Sequence, residues 1–358
     1  MKQKIIFNNQ KAEILKTINY QNPKSVLIVT SKGNVKRGYT DFIVNNLKKH
    51  KIVFFIINIF EYPDIQNLPA IYRGLNNQHF DLVISIGGGS VIDFAKIYSN
   101  CENGEKIKGF SDIKLRKDSI FHISIPTTSG SGSESTSFAT IWSQKEVQKY
   151  SFDNPKIIPN IAVLIPEFTT SLNKTLTLTT SLDSLCHCLD SLTNKKRDVD
   201  SEKLASKSIQ ETVKSLPDLL ENLDNLDLRK RQLIASNLAG QAINITRTSL
   251  NHAISYPLTN LYNLPHGLAC AFPTIGIFKK FNKTLVNHSN YEEIKSGIQL
   301  IKKLDLEPIY KKYLKTLDID KTIRAIGVNK RLSNFIFNVS ASDLEEILEF
   351  SKIEYNIE

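Results

Sequence analysis

Long apolar runs are absent from this chain. Although 41% of its 358 residues are hydrophobic, no run of about eighteen apolar residues occurs, and a membrane-spanning helix needs about 20. We therefore expect no membrane span. The segment MKQKIIFNNQKAEIL becomes too polar after Ile6 for a secretion signal, which leads us to expect a cytoplasmic protein.

Cysteine is also scarce. The four cysteines are Cys101, Cys186, Cys188 and Cys270, and none of them forms a CxxC pair. In a cytoplasmic protein we do not expect disulfides. Cys186 and Cys188 are better interpreted as small buried apolar residues.

Aromatic residues interleaved with basic ones are missing too. The formal net charge is +10, but the basic residues are spread out, in clusters as short as KKHK at 48–51 and KKR at 195–197. Without a nucleic-acid motif, this charge does not predict a nucleic-acid partner. It does suit a protein whose substrate and cofactor are both anions.

Apolar runs alternate with helical patterns in the first part of the chain. The predicted strands cover 26–30, 52–58, 81–86 and 121–126, with later candidates at 136–142 and 161–166, and the predicted helices cover 39–49, 65–77 and 91–100. This alternation predicts a mostly parallel sheet with helices on both faces. After Pro166 the pattern is helical, as in 201–223 and 228–245. We therefore predict an α/β domain over 1–166 and an all-helical domain over 167–358.

A glycine-rich turn follows the third predicted strand. In DLVISIGGGSVIDFAK, Gly87, Gly88 and Gly89 end the strand, and Ser90 can cap the next helix. A strand, a glycine turn and a helix N-terminus together let backbone amides approach a phosphate. The alternative is a plain turn, because GGGS is not the GxGxxG pattern.

A second turn of similar composition is PTTSGSGSE at 126–134, which follows the apolar run 120–125. Its hydroxyl groups and glycines could cradle an anion, and the alternative is a flexible loop. Two such turns, placed ahead of a metal-binding pattern in the helical part, favour an enzyme that uses both a nucleotide and a metal.

Two histidine-containing segments lie in the helical part. Asp183 and His187 are four residues apart in DSLCH, so on a helix they share one face. His252 and His266 follow in SLNHAISYPLTNLYNLPHGLACA, where a proline and a glycine flank the second histidine. One carboxylate and three imidazoles suit a first-row divalent metal with a position left open for substrate. The alternative is that each is an ordinary polar residue, but three of the seven histidines fall in these segments.

At this point the chain resembles a known family, the iron-containing (group III) alcohol dehydrogenases. The resemblance is carried by GGGSVIDFAK, IPTTSGSGSE, DSLCHCLDS and HAISYPLTNLYNLPHGLACA, in the family's order and spacing, from about Lys24 onward. The fourteen-residue step from His252 to His266 also matches. The resemblance implies a dehydroquinate synthase-like fold, in which an α/β dinucleotide-binding domain precedes an all-helical metal-binding domain.

The resemblance also implies site residues. The metal ligands would be Asp183, His187, His252 and His266. The nicotinamide dinucleotide would be lined by Ser31, Gly87, Gly88, Gly89, Ser90, Asp93, Thr127, Thr128 and Ser131. Fe²⁺ and Zn²⁺ both suit the ligands, and the family's name favours Fe²⁺.

The choice between NADH and NADPH depends on the end of the first predicted strand. Members of the family that prefer NAD often carry Asp where this chain has Ser31. A carboxylate there would hydrogen-bond the ribose and repel a 2′-phosphate. Ser31 removes that repulsion and Lys32 is adjacent, so both cofactors stay open.

Tyr256 stands where many members have a second histidine, four residues after the one that matches His252. On a helix Tyr256 shares that ligand's face, so it is a candidate proton donor, with plain packing as the alternative. This variation, INITRTS at 243–249 and the segment 328–348 resemble the phosphonoacetaldehyde reductases, which form 2-hydroxyethylphosphonate. Arg247 is then the candidate for the phosphonate, with a solvated arginine as the alternative.

Three other functions stay open. A sugar-acid dehydrogenase resembling the 3-deoxy-octulosonate 8-oxidases would share every metal and cofactor residue. A lyase resembling dehydroquinate synthase would use NAD transiently, although PTTSGSGSE and the PHG turn fit the dehydrogenases better. A non-enzymatic binding protein would be expected to lack a ligand, and all four are present. We expect a small aldehyde or alcohol as substrate, and a homodimer is an open alternative to a monomer.

Overall fold

The structure, a computed structural model, describes residues 3–7, 11–58, 64–75, 78–102, 106–143, 148–327 and 329–357. The chain divides into two compact units. The first comprises Met1–Thr128 and Ser133–Ser171, and the second comprises Ser129–Gly132 and Leu172–Glu358. The domain boundary at residue 166 stays a prediction.

The strands all lie in the first unit. They are β1 (Lys4–Phe7), β2 (Ser25–Thr30), β3 (Val53–Asn58), β4 (Leu82–Gly87), β5 (Cys101–Glu102), β6 (Lys114–Leu115), β7 (Phe121–Pro126), β8 (Phe138–Ser143), β9 (Gln148–Asp153) and β10 (Ile161–Leu164). The helices of this unit are α1 (Lys11–Tyr20), α2 (Lys32–Lys36), α3 (Asp41–Lys49), α4 (Leu68–Gly74) and α5 (Gly89–Asn100). Residues 76–77 of the predicted helix 65–77 lie outside the described residues.

Six strands form a parallel sheet in the order β1-β10-β7-β4-β2-β3. The chain leaves β2 towards β3 on one side and leaves β4 towards β7 on the other. The carboxyl ends of β2 and β4 therefore form a switch point in the strand order, where α/β sheets bind ligands. The predicted parallel sheet is confirmed. The predicted strand 136–142 forms instead as β8 in a separate antiparallel pair with β9, and β1 was not predicted.

The central strands are buried on both faces of the sheet. Leu27, Val29 and Val83 belong to one apolar core, whereas Ile28 and Ile84 belong to another. This burial explains why the strands appear in the sequence as continuous apolar runs. Two cores on one rigid sheet fix the positions of the turns that follow β2, β4 and β7.

The second unit is helical, which confirms the predicted class. Its helices are α6 (Lys174–Leu192), α7 (Val199–Glu221), α8 (Leu226–Thr246), α9 (Leu250–Tyr262), α10 (His266–Ala271), α11 (Thr274–Leu285), α12 (Tyr291–Lys303), α13 (Glu307–Tyr313), α14 (Ile319–Ile326) and α15 (Ala341–Glu354). Among the described residues, no helix has both the length and the apolar character needed to cross a bilayer.

Helix α6 is fixed at its first turn by two polar side chains. The Asn173 side chain accepts a hydrogen bond from Leu176 N at 2.8 Å, as a helix N-cap does. The buried guanidinium of Arg229 on α8 donates to Thr177 Oγ1 and to Leu172 O, both at 2.9 Å. These bonds set the position of a helix that carries several candidate site residues.

Candidate metal centre and cofactor turns

The switch point of the sheet brings the predicted cofactor residues of the first unit together. Ser31 directly follows β2, and its Oγ accepts a hydrogen bond from Asn34 N at 3.3 Å, which caps α2. Thr30 Oγ1 and Asn34 Nδ2 both donate to Ile86 O on β4, at 2.8 and 2.9 Å. The end of β2 is therefore tied to the strand that leads into the glycine turn.

The glycine turn after β4 is closely packed. A Cβ atom on Gly87 would lie 2.6 Å from the Cβ of Val91, so α5 can start this close to the strand only if residue 87 is glycine. Thr127 N donates to Gly87 O at 3.0 Å, and a Cβ on Gly88 would lie 3.4 Å from Thr128 Oγ1. The structure thus brings together the two turns from which the sequence predicts cofactor contacts.

The remaining predicted cofactor residues have different surroundings. Gly89 and Ser90 form the first turn of α5, where backbone amides have no partner within the helix. Asp93 is buried, and its carboxylate accepts hydrogen bonds from Ser133 Oγ and from Thr140 N. Ser131 belongs to the stretch Ser129–Gly132, which packs with the second unit.

The four predicted metal ligands lie together in the second unit. The distances from Asp183 Oδ1 to the Nε2 atoms of His187, His252 and His266 are 3.7, 3.4 and 3.7 Å. The ring centroids of His187 and His252 are 4.6 Å apart. One carboxylate oxygen is therefore surrounded by three imidazole nitrogens.

Three helices bring these side chains together. Asp183 and His187 are one turn apart on α6, His252 lies in the first turn of α9, and His266 begins α10. A Cβ on Gly267 would lie 1.8 Å from Thr179 O of α6, so only glycine allows α10 to approach α6 this closely. The glycine after His266 therefore has a structural function in placing that histidine.

The charges of the cluster follow from its burial. Burial lowers the pKa of His187 to about 4, so this imidazole is neutral at neutral pH. Burial alone would raise the pKa of Asp183, but the three histidines hold it below its usual value. Burial alone would lower the pKa of His252, but the neighbouring carboxylates of Asp183 and Asp190 raise it above its usual value. A proton and a cation would therefore compete for His252 Nε2.

Cys270 joins the cluster from α10, one turn after His266. The ligand atoms of Asp183, His252, His266 and Cys270 all lie within 4.8 Å of one another. Burial raises the pKa of the Cys270 thiol, which therefore stays protonated at neutral pH. A protonated thiol is a poorer ligand than His187, whose imidazole is neutral.

Asp190 contacts His252 at Nδ1, the ring nitrogen opposite the one that points towards Asp183. It was not among the residues predicted from the sequence. Its buried carboxylate accepts hydrogen bonds from His252 Nδ1 at 2.8 Å and from the backbone nitrogens of Ser249 and Asn251 at 2.8 and 3.0 Å. Burial alone would raise the pKa of Asp190, but these bonds lower it below its usual value. An ionised carboxylate fixes the proton on Nδ1 and leaves the lone pair on Nε2.

Asp190→Asn is expected to weaken metal binding by about ten- to hundredfold. The Asn side chain would offer an amide proton to His252 Nδ1 and favour the tautomer that carries its proton on Nε2. Metal affinity should be measured by competition with a chelator, independently of turnover. Asp198→Asn is the matched control because Asp198 also accepts from a backbone nitrogen at a helix start. Unchanged affinity in Asp190→Asn would contradict this role.

Tyr256 lies one turn after His252 on α9. Its ring stacks on His266, with centroids 6.0 Å apart and an interplanar angle of 24°. The Arg331 guanidinium lies 4.8 Å from the centroid of the Tyr256 ring, on a segment far away in sequence. Tyr256 is thus adjacent to the cluster, and its role as a proton donor stays a prediction.

Arg247 ends α8 with a φ of 70°. Its Nη1 donates to Asn244 O at 2.7 Å, and its own carbonyl oxygen accepts from Asn194 Nδ2 at 3.2 Å. These bonds give Arg247 a structural role at the end of the helix. Its predicted contact with a phosphonate stays a prediction.

The donor set fits a divalent cation. His252 Nε2 is buried and has no hydrogen-bond partner among the described residues, although it points towards Asp183. Leaving such a nitrogen unsatisfied costs about 1–3 kcal/mol, which a bound cation would offset. A carboxylate with neutral imidazoles is a set that Fe²⁺ and Zn²⁺ both accept.

Comparisons with known sequences agree with this geometry. The profile described as "Iron-containing alcohol dehydrogenase" matches residues 2–166. The profile described as "Fe-containing alcohol dehydrogenase family, C-terminal" matches residues 177–352. Together these matches span almost all of both units.

Two proteins with similar sequences are an aldehyde reductase and an alcohol dehydrogenase. The phosphonoacetaldehyde reductase of Streptomyces viridochromogenes is 30% identical over 229 residues, which are 60% of this chain and 57% of that protein. Alcohol dehydrogenase 4 of Saccharomyces cerevisiae is 29% identical over 263 residues, which are 73% of this chain and 68% of that protein. The chain thus matches little more than half the length of the first relative.

A solved structure supports the same assignment over the full length. The iron-containing alcohol dehydrogenase of Thermotoga maritima is 25% identical, with a TM-score of 0.81 over 100% of this chain and 99% of that one. The parallel sheet, the helical second unit and both sequence profiles agree with it. The chain belongs to the iron-containing alcohol dehydrogenase family.

Proposed function

We propose that this protein reduces phosphonoacetaldehyde to 2-hydroxyethylphosphonate, using NADPH or NADH and a divalent metal. The observation that carries this proposal is the convergence of three histidine Nε2 atoms on one buried carboxylate oxygen of Asp183, at 3.4 to 3.7 Å. It is supported by the glycine turn at the switch point of a parallel sheet, where a dinucleotide binds in folds of this class.

Asp183, His187, His252 and His266 would hold the metal, and Asp190 would keep His252 in the tautomer that binds it. When bound, the metal polarises a carbonyl oxygen, and the reduced nicotinamide supplies a hydride to the carbonyl carbon. The aldehyde oxygen must also gain a proton. Tyr256 carries a hydroxyl group beside His266, so it is the candidate donor of that proton.

The first unit would bind the dinucleotide through its turns. The first turn of α5, at Gly89 and Ser90, offers backbone amides to a phosphate. Gly88 lies against Thr128, so both turns border the same part of the sheet edge. Ser31 would lie near the ribose, and Ser131, Asp93 and Thr127 complete the predicted set.

The anionic substrate is supported by the chain's relatives and its charge. The Streptomyces viridochromogenes relative is a phosphonoacetaldehyde reductase, and the segments around Tyr256 and Arg247 resemble that branch. The net charge of +10 favours an anion over a neutral aldehyde. Arg247 is the candidate that the sequence offers for the phosphonate.

A steady-state comparison of aldehydes tests the proposal. Phosphonoacetaldehyde, propanal and a sugar-acid substrate are each supplied with NADH and with NADPH. We expect the highest kcat/KM with phosphonoacetaldehyde. A higher value with the sugar acid would contradict the proposed substrate, and no net consumption of reduced cofactor with any substrate would contradict the reductase itself.

Ser31→Asp is expected to shift cofactor preference towards NADH. The ratio of kcat/KM for NADPH to that for NADH should fall at least about tenfold, which needs only about 1.4 kcal/mol of charge repulsion. Asp is as good an N-cap as Ser, so α2 keeps its cap. Ser31→Ala, which removes the cap oxygen without adding charge, is the control. A wild-type enzyme that rejects NADPH altogether would contradict the role given to Ser31.

A further inference from the structure

We propose that Arg331, together with Thr248, forms the subsite that binds the anionic group of the substrate. This inference rests on the proposed reduction of an anionic aldehyde and assigns a binding residue that lies outside the metal and cofactor sets. The ligand class is a small oxyanion of the phosphonate, sulfonate or carboxylate type attached to a short aldehyde.

Arg331 is linked to the metal cluster through a stack of planar side chains. Its guanidinium carbon lies 4.8 Å from the centroid of the Tyr256 ring, and that ring stacks on His266. A cation over an aromatic face gains from the ring's quadrupole and keeps its edge free for hydrogen bonds. Only the Tyr256 ring therefore lies between the guanidinium and the candidate metal ligand His266. A short substrate with an aldehyde at one end and an anion at the other requires such a small separation.

The guanidinium is also held in one orientation. Its Nε donates to Thr248 Oγ1 at 3.1 Å, and the backbone nitrogen of Arg331 donates to Asn329 Oδ1 at 3.0 Å. Asn334 Nδ2 donates to Thr248 O at 2.9 Å, which ties the two loops together. These bonds place Arg331 before any ligand arrives, and preorganisation lowers the cost of binding.

The terminal nitrogens of Arg331 are available. In the part of the chain that the structure describes, neither of them donates a hydrogen bond, and Arg331 makes no ion pair. A guanidinium edge with two parallel N–H groups matches the spacing of two oxyanion oxygens. Arg247 differs because its Nη1 already donates to Asn244 O at the end of α8.

Further positive charge lies on the same loops. Lys195 N donates to Asn334 O at 2.7 Å, which places the segment Lys195–Lys196 beside the loop that carries Arg331. Lys195, Lys196 and Lys330 are exposed. These positive charges near a partly buried arginine attract an anionic substrate. They attract other anions as well, so discrimination between anions depends on their size and shape.

Arg331→Gln tests the subsite in two ways. The first measurement is binding of ethylphosphonate, which has the anion but no aldehyde, by isothermal titration calorimetry of the metal-loaded protein. The second is the ratio of kcat/KM for phosphonoacetaldehyde to that for propanal. We expect both to fall about ten- to hundredfold, as for a lost hydrogen bond to a charged group. Arg331→Lys keeps the charge without the fork and should give intermediate values.

Lys303→Gln removes one exposed positive charge from α12, outside these loops, and should change neither measurement. If Arg247→Gln lowers ethylphosphonate affinity while Arg331→Gln does not, the subsite belongs to Arg247 and the proposal is wrong. A third outcome separates the two proposals. If the wild-type protein binds ethylphosphonate, Arg331→Gln does not bind it, and the wild-type protein reduces no aldehyde, the subsite is supported and the proposed reaction is contradicted. If the wild-type protein prefers phosphonoacetaldehyde and Arg331→Gln keeps that preference, the reaction stands and the subsite does not.

Discussion

Replacing His266 with alanine should remove the bound metal and lower kcat/KM by about a thousandfold or more. A Lewis acid stabilises the transition state by several kcal/mol, and each 1.36 kcal/mol corresponds to tenfold in rate. His266 is partly exposed and begins α10, so its loss should leave the helical core intact. Metal content, turnover and circular dichroism should be measured on the same sample.

Three further variants make this result specific. His50→Ala removes an exposed histidine of the first unit and should leave metal content unchanged. Cys270→Ala distinguishes the two donor sets that the geometry allows. If the ligands are one aspartate and three histidines, Cys270→Ala keeps its metal. Loss of metal from Cys270→Ala with retention in His187→Ala would replace His187 by Cys270 in the ligand set.

Tyr256→Phe should lower kcat by about a hundred- to ten-thousandfold, the range for a positioned general acid. The ring that stacks on His266 is retained, and only the hydroxyl is removed. The measurement is kcat as a function of pH, because loss of the proton donor should change the shape of the profile as well as its height. Cofactor affinity should not change.

Tyr262→Phe is the matched control on the same helix. The Tyr262 hydroxyl donates to Asp318 O at 3.2 Å, so its loss should lower stability by about 0.5–1.5 kcal/mol without changing kcat at any pH. A kcat in Tyr256→Phe equal to that of the wild type would show that Tyr256 only packs against His266, the alternative that the sequence leaves open.

Local spacing explains why part of the site could be predicted. Asp183 and His187 share a helix face because they are four residues apart, and the Gly87 turn follows a strand that is apolar except for Ser85. Both patterns lie within one element or one junction of elements. The parallel sheet followed from the same reasoning, because buried parallel strands are apolar on both faces.

Contacts between distant segments could not be predicted in this way. Asp190 is seven residues after Asp183, so the sequence could have predicted that both lie on the same helix face. The function of Asp190 could not be predicted, because it depends on the packing of α9 against α6. Arg331 is far from Tyr256 in the sequence, and no local pattern relates them. Arg229 carries a charge and is nevertheless buried, because Leu223 O, Thr177 Oγ1 and Leu172 O accept its hydrogen bonds.

The role of Arg247 shows how a pattern can leave two interpretations open. Its position before His252 suggested an anion pocket, yet its guanidinium donates to the last turn of its own helix. The positive φ of 70° adds backbone strain that neighbouring hydrogen bonds must hold. A sequence shows the charge of such a residue but not the direction of its side chain.

The most direct test of the proposed function is the metal dependence of phosphonoacetaldehyde reduction. Protein stripped of metal with a chelator is supplied with phosphonoacetaldehyde and either NADPH or NADH, and cofactor oxidation is followed before and after addition of Fe²⁺ or Zn²⁺. We expect no turnover in the stripped protein and restored formation of 2-hydroxyethylphosphonate after addition of metal. Equal turnover of the stripped and the reloaded protein would contradict the assignment of the Asp183 cluster as the catalytic centre.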